Sequence, residues 1–118
     1  MYHILPMSKE NVIGVRIEGD MSTKDYATLL PLLETLILKY GMIRVLVDLE
    51  DFKGVKAWGM IKSLPFSFKY ASHVEKKAVI TNQSWVRRLT KLSAPFFKTE
   101  VRCFSKTHTD EAWNWVRQ

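Results

Sequence analysis

The sequence predicts an α/β domain with a mixed, mostly parallel sheet of about five strands, one antiparallel edge strand, and helices on both faces. Three observations carry that prediction. Strand-like and helix-like stretches alternate along most of the chain, a short polar link joins the first two strands, and one β-branched run near the middle is apolar on both sides.

Residues 2–6 and 12–18 read as the two strands of a hairpin around Met7-Ser8-Lys9-Glu10-Asn11. In the second, Ile13, Val15 and Ile17 share one face, and Val12, Gly14, Arg16 and Glu18 share the other. A helix follows, with Ser22 or Thr23 as N-cap, Asp25 favouring the positive end of its dipole, and Gly41 as its stop. Tyr26, Leu29, Leu30, Leu33, Ile37 and Tyr40 fall on one face of it, and Pro31, lacking an N–H, predicts a bend.

The run 42–49, MIRVLVDL, reads as a central strand buried on both faces. Residues 55–72 predict a kinked or split helix, because Gly59 and Pro65 interrupt a pattern that Trp58, Ile61, Leu64 and Phe68 otherwise keep. A strand over 77–81, a helix over 84–92 bearing Arg87, Arg88 and Lys91, and a strand over 101–104 complete the alternation. Thr109 or Asp110 starts a last helix that turns Ala112, Trp113 and Val116 inward and leaves Asp110, Glu111 and Arg117 wet.

A length of 118 residues, with no repeat or linker, predicts one domain over residues 1–118. The one cysteine, Cys103, permits neither an internal disulfide nor a zinc cluster, which points to a reducing, cytoplasmic setting. No secretory signal pattern opens the chain, and the most apolar stretch, 29–38, is interrupted by Pro31, Glu34 and Thr35, so no transmembrane segment is expected. Charge is uneven: residues 1–51 hold five Lys/Arg and eight Asp/Glu, whereas residues 52–118 hold thirteen and four. Such a basic half suits nucleic acid or another anionic surface. Nucleic acid ranks last among the readings, because no nucleic-acid motif is present and the aromatic residues read as buried.

The polar group with most promise is Asp48, Glu50 and Asp51, at the C-terminal end of the central strand, where open α/β sheets bind ligands. It reads as a solvated loop or as a polar pocket rim, and an enzyme would draw its acid or base from it. His3, His73 and His108 fall in separate parts of the chain, and Cys103 reads as a buried, unreactive thiol. With no GxSxG, Walker, GxGxxG or HExxH pattern, no catalytic residue, cofactor or metal site is expected. The aromatic residues Phe52, Trp58, Phe66 and Trp85 could line an apolar cavity, although core packing is the commoner role of such side chains.

Several strings in order resemble the SpoIIAA-like family of small bacterial STAS/CRAL-TRIO-type domains: GVRIEG before DYATLLPLLETLILKYG, then IRVLVDLEDFKG, KKAVIT with SWVRRLTKLSAPFF, and EVRCFS before AWNWV. The resemblance covers nearly the whole chain and implies a SpoIIAA-like α/β sandwich. It carries no activity. Related anti-sigma-factor antagonists use a phosphorylatable serine just after the strand matching 45–49, where this chain reads FKGVKAWG and has no hydroxyl between Asp51 and Met60. The expectation is therefore a non-enzymatic binding or regulatory module for an apolar, lipid-like small molecule or a protein partner. Homodimerisation is an arrangement small domains of this class often adopt.

Overall fold

The computed structural model describes residues 1–19, 22–51, 71–84 and 100–118. The strands β1 (Tyr2–Ile4), β2 (Val12–Glu18), β3 (Ile43–Glu50), β4 (Val74–Ile80) and β5 (Glu100–Phe104) form one five-stranded sheet in sequential order. β1 runs antiparallel to β2, pairing Tyr2 with Ile17, and β2 to β5 run parallel. This is the mixed sheet with an antiparallel edge pair that the alternation predicts. The ladders extend further than the apolar runs, with β3 reaching Glu50, β4 starting at Val74 and β5 at Glu100. Backbone pairing, such as Ile43 with Val74 and Lys76 with Glu100, carries the strands through charged positions that the apolar pattern leaves out.

Alternation sorts each strand between two layers. Ile13, Val15, Ile43 and Val45 point to the face covered by helix α1 (Thr23–Tyr40), where they bury Tyr26, Leu29 and Ile37. Ser22 caps α1 in a capping box: its hydroxyl accepts from the Asp25 N–H, and the Asp25 carboxylate accepts from the Ser22 N–H. At the other end Gly41 takes φ 82°, and its N–H donates to the Ile37 carbonyl at 2.7 Å. The helix is continuous through Pro31, which sits on its exposed side together with Ala27, the residue whose carbonyl loses a donor. Tyr40 departs from the expected inward face and is exposed, lying in the last turn just before the chain enters β3.

The opposite face carries Val12, Leu46, Ala78, Ile80 and Phe104, and helix α2 (Thr109–Arg117) covers it with Ala112, Trp113, Trp115 and Val116. Gly14 makes that close packing feasible: a Cβ there would lie 2.4 Å from the Trp113 ring. Trp115, absent from the expected inward set, is buried because Phe104 lies against it, ring centroids 6.0 Å apart, while Lys76 and Arg102 lie over its indole.

The helix expected over 55–72 falls mostly outside the described residues, its end being a 3-10 turn at Ala71–His73. The helix expected over 84–92, beyond Ser84, and the pocket candidates Phe52, Trp58, Phe66 and Trp85 also lie outside them. Among the described residues no helix is long and apolar enough to cross a membrane.

Candidate functional site

The parallel strands β2 to β5 finish at one edge of the sheet, the edge at which open α/β sheets hold ligands. β3 brings Asp48 and Glu50 there on the α2 face, in line with Arg44 and Leu46. Asp48 is only 7% exposed, and it and Thr81 are the buried polar side chains of the described residues. The solvated-loop reading of Asp48 is thus corrected: the carboxylate sits inside the ladder, between Arg16 of β2 and Ile80 of β4. Glu50 and Asp51 are exposed, and Asp51, at φ 48°, turns the chain out of the strand.

A buried carboxylate needs partners. Lys106 supplies one, its Nζ donating to Asp48 Oδ1 and lying 3.8 Å from Glu50 Oε1. Arg16 supplies the other, with Nε 3.5 Å from Asp48 Oδ2. Lys106 stands in a 3-10 turn, Lys106–His108, that links β5 to α2. Its backbone N–H donates to Asn82 Oδ1 at 3.0 Å, and its carbonyl accepts from the Thr109 hydroxyl at 3.0 Å. Two formal positive and two formal negative charges therefore meet at this edge, and they compensate one another. A carboxylate held this way orders the entry to α2; acid or base work would first require breaking the Lys106 contact.

Beside this cluster the Ser105 hydroxyl lies 2.6 Å from His108 Nδ1, with the Thr107 hydroxyl 3.1 Å from the same nitrogen. All three groups belong to one turn, and the contacts tie it locally. The other histidines are elsewhere: His3 faces Glu18 at 3.7 Å, and His73 Nδ1 is 3.1 Å from the Gly41 carbonyl at the opposite end of the sheet. Among the described residues no group of three or more His, Cys, Asp or Glu side chains could hold a metal ion. Cys103 is half-buried beside Val79, Leu49 and Val101.

Sequence reasoning reached Asp48, Glu50 and Asp51 but missed Lys106, Arg16 and Asn82. An acid inside the apolar run VLVDL is a local sign that a cation must come to it. Nothing local says which, since Lys106 lies 58 positions away.

A model of the SpoIIAA-like family matches residues 12–117. Among solved structures, the chain is similar to an uncharacterized protein of the DUF3478 family with a SpoIIAA-like fold from Shewanella loihica PV-4, at 21% identity and a TM-score of 0.71 over 98% of this chain and 93% of that one. No curated protein matches it. The family match spans residues 12–117, and the chain belongs to the SpoIIAA-like family.

Proposed function

We propose that this protein is a non-enzymatic binding or regulatory module that takes an apolar, lipid-like small molecule at the C-terminal edge of its sheet. One observation carries the reading: the buried carboxylate at that edge has both oxygens engaged, by Lys106 and by Arg16. The fold itself satisfies that buried carboxylate, and the reading assigns recognition to apolar side chains. The stretch after Asp51 begins with Phe52, and the one after Ser84 begins with Trp85, so two aromatic-bearing connections leave the sheet from the ends of β3 and β4. Phe52, Trp58, Phe66 and Trp85 are the residues assigned to the pocket. The enzyme alternative, drawing an acid or base from Asp48, Glu50 or Asp51, is disfavoured by the same pairing of Asp48.

The test is titration of purified protein with the neutral dye Nile red, alongside organic extraction and mass spectrometry of what co-purifies. A saturable fluorescence increase that weakens in Trp58→Ala supports the pocket. No increase and no extracted ligand, or an increase unchanged in Trp58→Ala, overturns it and favours a protein partner.

A further inference from the structure

The sheet ends at β1, and among the described residues no further strand pairs with it. The Glu18 N–H donates to the Met1 carbonyl at 2.9 Å, and the Leu5 N–H donates to the Gly14 carbonyl at 2.8 Å. Antiparallel bonding alternates along a strand, so Met1, His3 and Leu5 turn their backbone groups toward β2, whereas the N–H and carbonyl of Tyr2 and Ile4 point away from the sheet. These groups form an open edge. Its residues, Tyr-His-Ile, include no lysine or proline of the kind that commonly guards one.

The side chains above that edge are apolar as well. The N-terminal ammonium lies 3.0 Å from the Asp25 carboxylate and the Tyr2 hydroxyl 2.7 Å from that of Thr28, so β1 runs alongside α1 in the same direction. Asp25, Thr28 and Leu32 follow one stripe of the helix. Two strand residues rise about 6.6 Å and four helix residues about 6 Å, which sets Ile4 level with Leu32. Ile4 is 42% exposed and Leu32 45%.

A second copy of this chain matches the edge, because the open groups are symmetric about His3. A two-fold axis through His3, perpendicular to the sheet, sets Tyr2 of each copy opposite Ile4 of the other, and each pairing exchanges two backbone hydrogen bonds. The same axis keeps both α1 helices on one face, where Ile4 and Leu32 meet the Tyr2 side of the other copy. We propose that the protein forms a two-fold dimer through β1, joining two five-stranded sheets into one continuous sheet. This goes beyond the pocket reading and uses none of its residues.

Sedimentation over a concentration series tests it. A monomer–dimer equilibrium is expected, with the dissociation constant raised about tenfold or more by Ile4→Lys and by Leu32→Lys, which put charge into the contact. Leu38→Lys, exposed on another side of α1, should leave the equilibrium unchanged. In a Cys103→Ser background, His3→Cys should close a disulfide between copies, since the axis brings the two Cα atoms to about 4.5 Å, whereas Lys9→Cys should not. Circular dichroism checks each fold, and Leu32→Lys, outside the sheet, decides if Ile4→Lys is unfolded. A monomer at every concentration, a dimer unmoved by Leu32→Lys, equal loss in Leu38→Lys, or no cross-link through His3→Cys overturns the proposal.

Discussion

The two helices of the described residues lie on opposite faces of one sheet and are held there by different means. α1 is closed by its own sequence, with Ser22 and Asp25 at one end and Gly41 at the other, and it meets the sheet through aliphatic side chains and Tyr26. α2 has half the length and no side-chain cap at its N-terminal residue His108. Its ends are closed from the sheet: Lys106, just ahead of it, is fastened to Asp48 of β3, while Arg44 of β3 and Lys76 of β4 donate to its last carbonyls. A long helix with local stops needs only an apolar face to land on. A short one that brings two tryptophans against the sheet is positioned by long-range polar contacts as well.

That contrast can be broken by variants. The largest effect is expected for Trp113→Ala, which empties the packing between α2 and β2 and should cost about 3–5 kcal/mol in urea unfolding. Gly14→Ala attacks the same contact from the strand, pressing a methyl into the Trp113 ring, and should cost about 2–3 kcal/mol. Lys106→Met leaves Asp48 with Arg16 alone. Because Lys106 is itself 28% exposed, a loss of about 2 kcal/mol is expected rather than the full penalty of a bare buried charge. If Lys106→Met is neutral, α2 is held by packing alone and the contrast fails.

On the α1 side the sharper probe is pH. Burial, and then the charge of Asp25, push the Tyr26 hydroxyl from its ordinary value near 10 up to about 12. The folded state therefore keeps a proton that the unfolded chain releases. The resulting stability is fully present below pH 10 and is lost as pH rises through about 12. The size is about 2–3 kcal/mol, and Tyr26→Phe should remove the alkaline slope of the unfolding free energy. At the acid end, the Ser22 N–H holds the Asp25 carboxyl below the usual carboxylate range. Its contribution is present above the ordinary value and disappears as pH falls through the lowered one. The smallest change is expected for Ser22→Ala, about 1 kcal/mol, with the acid dependence of Asp25 largely kept, because the backbone N–H at position 22 remains to donate to its carboxylate.

The same contrast explains what could be read from the chain. Ser22, Asp25 and Gly41 act within a few residues, and the alternation of β2 and β3 is a local pattern, so α1, the hairpin and the central strand were legible. Ala112, Trp113 and Val116 followed from helical spacing. Trp115 did not, because its burial depends on Phe104, Lys76 and Arg102 closing over the helix from β4 and β5. Tyr40 kept the spacing yet is exposed, since the periodicity says which residues share a face and not where the sheet beneath them ends. At the candidate site the acids were visible as acids in a favourable place. Their engagement by Arg16 and Lys106 depends on contacts from β2 and from the turn after β5, which no local pattern encodes.

The sequential strand order bears on how the chain is made. Each parallel strand joins the outer side of the one before it, so the sheet can grow in the order of synthesis without reopening a finished pair. α1 is available as soon as β3 follows it, but α2 is the last of these elements to leave the ribosome. Until then Val12, Leu46, Ala78 and Ile80 lack the cover that, among the described residues, α2 gives them. A nascent chain without α2 thus lacks part of the final cover of an apolar face, a condition in which chaperones engage and misassembly competes. The Lys106–Asp48 contact, standing at the entrance to α2, is placed to start closing that face as soon as the helix arrives.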